Sequence, residues 1–416
     1  MNYTPIIIFS LTYAGIALGR IPGLNLDRNG IALLGAIAMT ATGAVSIDRA
    51  VKSIDVPTIV LLYSLMVISA QLRLGGFYTW TAEKIAAILK RPKFFLFVLM
   101  SVSAILSALL ANDIICIAFT PVLSYSLISA GMNPLPFLLA LALSSNAGSA
   151  ATIIGNPQNM LIGQTGGLHF ASFTAWCLPP SAAALFLIYL IICHFYKKDL
   201  AALDNISKPP EPEIMNIEHH EIWPEFNLWQ STKGIIAVIS TVCLFFTDIP
   251  RELTALTVAG ILLCSRKMES REILSLIDWN LITLFCALFV VIQGMEDAGL
   301  PALLMTKLAE TGADLTSLFN LTAVSTILSN IVSNVPASML LIKFLDKSNP
   351  SEWYILAVSS TFAGNLILIG SIANLIVVEQ ASKFGITVTF REHAKTGIPA
   401  TIMSILVLVA WAYIIS

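Results

Sequence analysis

The chain is a succession of apolar runs of about 16–20 residues, beginning near Ile6 and recurring to the end. An α-helix needs about that length to cross a bilayer core. In the first half the pattern predicts spanning helices near 5–20, 30–45 and 56–73, then a surface helix near 78–91. The apolar stretch 94–130 is split by the polar pair Asn112-Asp113 and reads as a re-entrant hairpin. The stretch 136–165 should cross the membrane, yet SSNAGSAATIIGNPQNMLIG (144–163) fills its middle with amides, hydroxyls, glycines and a proline, so it predicts a broken helix. A last span follows near 172–195.

The pattern then repeats. SIDVPTIVLLYSLMVISAQLRLGG from Ser53 aligns with SLIDWNLITLFCALFVVIQGMEDAGL from Ser275, placing Asp55 on Asp278 and Gly76 on Gly299. SAILSALLAND (103–113) aligns with STILSNIVSNV (325–335), and SSNAGSAATIIGNPQN (144–159) with SSTFAGNLILIGSIAN (359–374). Three blocks in one order mark an internal repeat. With the hairpin counted as non-crossing, each half has five crossings, and an odd number inserts the second half upside down. The predicted fold is an all-α polytopic membrane protein of two inverted repeats, 1–196 and 233–416. A polar, proline-rich linker, 197–232, joins them. That is the plan of secondary transporters, whose site lies at the repeat interface.

Basic residues fit this count. Arg49, Lys52, Arg251, Lys307, Lys343 and Lys347 fall on one side and the other 17 of the 23 on the opposite side. By the positive-inside rule the crowded side is cytoplasmic. The linker is then cytoplasmic and both termini are outside.

Composition agrees: 56% of residues are hydrophobic, 12% are charged and the mean hydropathy is +0.83, against about 25% charged in soluble domains. The net charge of −2 gives no footprint for nucleic acid. The six cysteines are scattered without metal or disulfide spacing, and the first apolar run, lacking a basic region before it, reads as a mature helix rather than a leader. No phosphate-binding loop and no nucleophile-and-base pattern appear, so no enzyme and no cofactor is expected.

The candidate chemistry lies in the interruptions. Irregular polar backbone at membrane depth survives only where it is buried in protein or lines a cavity. In Gly155-Asn156-Pro157 the glycine permits a turn, the asparagine suits an N-cap and the proline suits the first helical position. Gly370-Ser371 repeats the design, and Asn112-Asp113 and Asn334-Val335-Pro336 do so at the hairpin tips. Four helices would begin near the midplane. Their N–H ends attract anions, the carbonyls of the helices that stop there suit Na+, and nearby amides such as Asn159, Asn365 and Asn374 can serve either.

Asp113 is the one ionisable residue at a tip and would carry Na+ or H+. Lys343 is expected to snorkel to the outer surface, with Gln293, Glu296 and Asp297 interfacial beside it. Glu379 is a candidate for the cytoplasmic mouth. His219-His220 in the linker and His393 in a loop read as solvated, and Asp55 and Asp278 as first-turn partners of their helices.

At these residues the chain resembles the ion transporter superfamily, which includes divalent-anion/sodium symporters, citrate transporter-like proteins, arsenite permeases and Na+/H+ antiporters of the NhaD type. ANDIICIAFTPVL (111–123) resembles the arsenite-permease hairpin, while SNVP (333–336), GNPQNMLIG (155–163) and GSIANLIV (370–377) resemble motifs of bacterial anion permeases. The resemblance implies ten spans plus two hairpins, a homodimer in a bacterial cytoplasmic membrane, and an alternating-access cycle. It carries a site onto Asn112, Asp113, Ser145, Asn146, Gly155, Asn156, Ser333, Asn334, Thr361, Gly370 and Ser371.

With the residue reading, this makes Asn112, Asp113, Asn146, Gly155, Asn334 and Gly370 the candidate Na+ ligands. The partners implied are a small inorganic or organic anion and the lipid bilayer, with a separate ATPase subunit in the case of an arsenite extruder. Val335 and the triplet Ala111-Asn112-Asp113 depart from the Ser-Asn-Thr of the dicarboxylate branch, removing two hydroxyls that branch uses. Two rival readings remain at this stage, a Na+/H+ antiporter working through Asp113 and a channel.

Overall fold

The computed structural model describes residues 3–19, 25–201, 224–265, 267–299 and 317–415. Most of the linker, the second surface helix, His219-His220, Arg20, Lys208, Arg266 and Lys307 lie outside the described residues.

The first half runs α1 (Thr4–Leu18), α2 (Arg28–Ala41), α3 (Ile47–Ser53), α4 (Val56–Leu74), α5 (Phe77–Ala86), α6 (Pro92–Leu109), α7 (Asn112–Ser129), α8 (Leu135–Ser149), α9 (Pro157–Thr165) and α10 (Phe170–Phe195). The second runs α11 (Leu228–Leu244), α12 (Arg251–Leu263), α13 (Ser270–Ser275), α14 (Trp279–Asp297), α15 (Leu318–Val332), α16 (Asn334–Leu341), α17 (Pro350–Ala363), α18 (Ile372–Ser382) and α19 (Phe390–Ile415). The structure is all-helical among the described residues.

Matched sequence gives matched local structure. Asp55 and Asp278 both cap their helices, their Oδ1 atoms accepting from Thr58 N at 2.9 Å and Leu281 N at 3.0 Å. An aspartate at that position satisfies an N–H the first turn leaves free and favours the positive helix end. The packing is reciprocal as well. The α14 helix lies on α2 as α4 lies on α12, and α1 lies on α14 as α11 lies on α4. Likewise α7 packs on α18 and α16 on α9, while α10 and α19 pair with each other.

The first segments of the two broken helices form the centre. Every residue of α8 is buried, and so is α17 from Glu352 onward. A helix apolar and buried all round belongs to a core. Gly148 lets α6 approach α8, because a Cβ there would overlap Ala104; small residues allow such contact between membrane helices. Ser103 and Ser144 bond across that contact at 2.6 Å, and their repeat mates Ser325 and Ser359 bond at 2.8 Å. Outside this core, α10 and α19 expose Phe186, Leu190, Ile402 and Leu406, the surface a lipid tail would meet.

Among the described residues six helices are long and apolar enough to cross a membrane: α4, α6, α7, α10, α14 and α19. Two of these, α6 and α7, are the arms of the first hairpin. Each has 18 residues, about 27 Å at 1.5 Å per residue, longer than a re-entrant arm requires. The chain nevertheless reverses at Leu110–Ala111, and Asn112 N donates to Gly155 O at 3.3 Å, so this tip ends against the first helix break. His393 is not in a loop. It is buried within α19, 1% exposed, with both ring nitrogens unpartnered. Thr389 and Glu392 explain why: Thr389 N donates to Glu392 Oε2 at 3.1 Å and Glu392 N to Thr389 Oγ1 at 3.2 Å, a capping box that starts the helix ahead of His393.

Candidate functional site

All four interruptions converge on one cleft. It is lined by Asn112 and Asp113 from the first tip, and by Ser333, Asn334 and Val335 from the second. Pro157 and Gln158 open α9, Ser371 and Ile372 open α18, and Leu281 on α14 completes the wall. The cleft measures about 20 Å³, room for one water-sized particle. Of the expected site residues, Asn112, Asp113, Pro157, Ser333, Asn334 and Ser371 line it. Gln158, Leu281 and Ile372 were not singled out from sequence, and Val335 was read there only as a tip residue lacking a hydroxyl. Gln158 lies inside the quoted motif, whereas Leu281 carries no chemical signal and is found only by its place one turn into a repeat-matched helix.

Behind the cleft the remaining expected residues form a hydrogen-bonded lattice that crosses the repeats. Asn146 is its hub. Its Oδ1 accepts from Asn112 Nδ2 at 3.0 Å and from Ser371 Oγ at 3.0 Å, and its Nδ2 donates to Asn365 Oδ1 at 2.9 Å and Asn374 Oδ1 at 3.3 Å. The repeat mate of the Asn146–Ser371 contact is also made, because Asn156 Nδ2 donates to Thr361 Oγ1 at 3.2 Å. Gln158 Nε2 reaches the same hydroxyl at 3.4 Å. Ser145 Oγ holds the first tip by donating to Asn112 O at 3.2 Å.

The breaks are closed by amides. Asn159 Nδ2 donates to Ser149 O at 3.3 Å and Thr152 O at 3.1 Å; Asn374 Nδ2 donates to Gly364 O at 2.8 Å and Ile367 O at 3.4 Å. These are the same two bonds in each repeat. They take up carbonyls that a terminated helix leaves unpaired, so each of those oxygens already accepts a hydrogen bond and offers Na+ its second lone pair. Asn146 Oδ1 and Gly155 O are engaged too. Thr152 donates to Ala108 O as well, tying the break to the first hairpin.

Several expected roles change. Asn156 does cap α9, its Oδ1 accepting from Asn159 N at 2.9 Å. The caps of the two hairpin helices are instead Ala111 and Ser333, and Asn112 and Asn334 are first helical residues whose side chains are left for other work. Ser371 sits at the cap position of α18 but gives its hydroxyl to Asn146. Gly155 does not adopt a left-handed turn. It is needed because a Cβ would overlap Ser149 O, so its freedom serves close approach rather than chain reversal. Gly370 lies behind the cleft against Asn330.

The two hairpins differ chemically. In the first, Asn112 and Ser107 are bonded, and Asp113 makes no hydrogen bond or ion pair among the described residues. In the second, Asn334 Oδ1, Asn330 Oδ1, Ser329 Oγ and Ser338 Oγ are all buried without a partner. Unpaired buried oxygens are costly unless a ligand satisfies them. Ser333 is also strained, with φ 76° in the region that favours glycine.

The residues expected on the outer side come together as well. Lys343 Nζ pairs with Glu296 Oε1 at 2.9 Å instead of reaching freely for the surface, and Arg49 pairs with Asp297 at 2.8 Å. Glu379 is exposed on α18 and does not line the cleft.

Comparison with known proteins then gives the chain its relatives. The sequence profile of a family described as citrate transporter matches residues 13–363. A silicon efflux transporter of rice, LSI3, is 28% identical over 92% of this chain and 92% of its own length. A transporter named arsB from Dictyostelium discoideum is 25% identical over 92% of this chain and 87% of its own. The inner membrane protein YbiR of Escherichia coli is 30% identical over 79% of this chain and 81% of its own.

Proposed function

This chain belongs to the citrate transporter family, and on that premise we propose that it carries a small anion across the cytoplasmic membrane by secondary active transport coupled to Na+ or H+. The observation that carries the reading is the convergence of four helix starts on one cleft lined by no lysine or arginine. Helix N-termini present N–H groups and a positive dipole end, so the cleft can hold an anion through backbone, the Asn112 and Gln158 amides and the Ser371 hydroxyl. Oxyanions, arsenite and carboxylates all suit such donors. The rice relative is named for silicon efflux, which favours a small solute over a large one.

The coupling ion would bind at the tips. Asp113 supplies the one carboxylate in the cleft, and Asn334 and Asn330 supply free amide oxygens, the hard donors Na+ takes. Alternating access would move this site between the two faces, in a molecule of two inverted repeats with both termini outside and the linker inside, working as a homodimer. A second reading rests on Asp113 being unpartnered: a Na+/H+ antiporter that needs no anion.

The test is reconstitution, with solid-supported-membrane currents recorded for dicarboxylates, citrate, sulfate, phosphate and arsenite, each with and without Na+ and pH gradients. A current that needs one of these anions supports the proposal and names the coupling ion. A current from Na+ or Li+ against H+, with no anion required, replaces it with the antiporter.

A further inference from the structure

Arg251 and Arg28 are 223 residues apart, the same interval that relates Asp278 to Asp55. Each opens the second helix of its half, α12 and α2. Their surroundings differ. Arg251 Nη1 donates to Leu168 O at 2.8 Å, and its Nη2 donates to Gly163 O and to Gln164 Oε1, both at 2.9 Å. Gln164 Nε2 in turn donates to Glu252 Oε2 at 3.0 Å. This grip ties α12 of the second repeat to the end of α9, the short helix whose other end lines the cleft. A planar guanidinium suits the task, because it spreads its donors over two carbonyls and brings positive charge to the negative end of a helix.

The turn that Arg251 holds has a repeat mate. After α9, Gly167 has φ 60° and Leu168 N donates to Gly163 O at 3.0 Å; after α18, Gly385 has φ 74° and Ile386 N donates to Ala381 O at 3.2 Å. Both are the left-handed helix stop that glycine allows. Ala381 O and Ile386 O therefore match Gly163 O and Leu168 O, and Arg28 is the guanidinium that corresponds to Arg251. Among the described residues Arg28 makes no hydrogen bond or ion pair. The cleft shows the same inequality: Leu281 on α14 lines it, whereas its mate Thr58 on α4 is fully buried.

We propose that Arg251 is a latch that closes the cleft on its own face, and that Arg28 takes the equivalent grip on the Ala381–Ile386 turn when the molecule switches. The inference rests on the alternating-access reading above. The two arginines would then be engaged in turn, one in each state, and the described structure is the state with Arg251 engaged. Each crossing of the cycle breaks one set of charge-assisted hydrogen bonds and forms the other, which keeps the two states close in free energy.

The experiment reads the closed face directly. Thr58→Cys places a thiol where that face is shut. Its labelling by a maleimide is followed in lipid nanodiscs, where both faces meet the reagent, and is resolved by mass spectrometry so that the native cysteines stay in place. Arg251→Ala is expected to speed labelling about tenfold, the scale of losing a hydrogen bond to a charged group. Arg251→Lys, which can hold one carbonyl, should fall between. Arg28→Ala should slow labelling, a change of sign that general loosening does not produce.

Gln164→Ala, which removes one acceptor and keeps the charge, is the second route to the open face if Arg251→Ala does not fold. Unchanged labelling in the folded Arg251 and Gln164 variants overturns the latch, as does Arg28→Ala speeding labelling as much as Arg251→Ala. Anion currents on the same proteins separate the two ideas. The expected labelling without any anion current keeps the latch and removes the anion reading; anion currents with unmoved labelling do the reverse.

Discussion

Asp113 and Ser333 face the same cleft and test different things, charge in one case and backbone strain in the other. Asp113→Asn keeps the size of the side chain and removes its charge. The expected outcome is a protein with the elution profile and melting temperature of the parent whose transport is abolished or no longer responds to Na+ and pH gradients. Transport with the parent's gradient dependence would remove Asp113 from the mechanism. Ser333 holds φ 76° and ψ 160°, a conformation that costs a residue with a Cβ about 1–3 kcal/mol. Ser333→Gly should therefore raise the melting temperature while weakening transport, because the flexible tip no longer fixes Asn334. A lower melting temperature would show that the hydroxyl, not the backbone, sets the stability of this tip.

At the scale of elements, the structure turns on how a helix can be broken inside a membrane without loss of the fold. The answer in both repeats is a single amide that bonds two carbonyls across the gap. Asn159→Ala would leave Ser149 O and Thr152 O with only the longer bonds from Asn156 Nδ2 at 3.4 Å and Gly155 N at 3.5 Å. Asn374→Ala would leave Gly364 O without a partner among the described residues, a loss of about 1–3 kcal/mol for a buried acceptor left unpaired. Each should lower the thermal stability of the purified protein clearly, and Gln158→Ala, whose one bond is long, should lower it less. Equal melting of all three would show that the breaks are held by packing alone. The breaks themselves were legible from sequence, because Gly, Pro and Asn within an apolar run have few other reasons to be there. Their wiring was not. Asn146 reaches Asn365 and Asn374, 219 and 228 residues away, and no local pattern encodes which amide meets which. The start of α19 is legible in principle, since Thr389-Phe390-Arg391-Glu392 is a capping-box sequence, a signal that the reading of His393 as a loop residue does not use.

The whole molecule is two similar halves that meet at one lattice of amides and hydroxyls, in which Asn146–Ser371 and Asn156–Thr361 are a repeat-matched pair of crossings. Its orientation can be checked without knowing the substrate. Lys52 and Lys90 are both exposed and belong to opposite sides of the basic-residue partition. In intact cells a membrane-impermeant maleimide should label the thiol introduced by Lys52→Cys and not that introduced by Lys90→Cys; the reverse pattern would invert the topology, and labelling of both would break the crossing count. The size of the cleft has a further consequence for any affinity measurement. If the cargo is an anion of several heavy atoms, the space of about 20 Å³ does not admit it, and binding would draw on a wider form of the cleft that is a fraction of the molecules. The measured dissociation constant is then the intrinsic one divided by that fraction. A substitution far from every ligand group can therefore tighten binding by enlarging the fraction, and a weak affinity for the true cargo would report the scarcity of the open form rather than a poor fit.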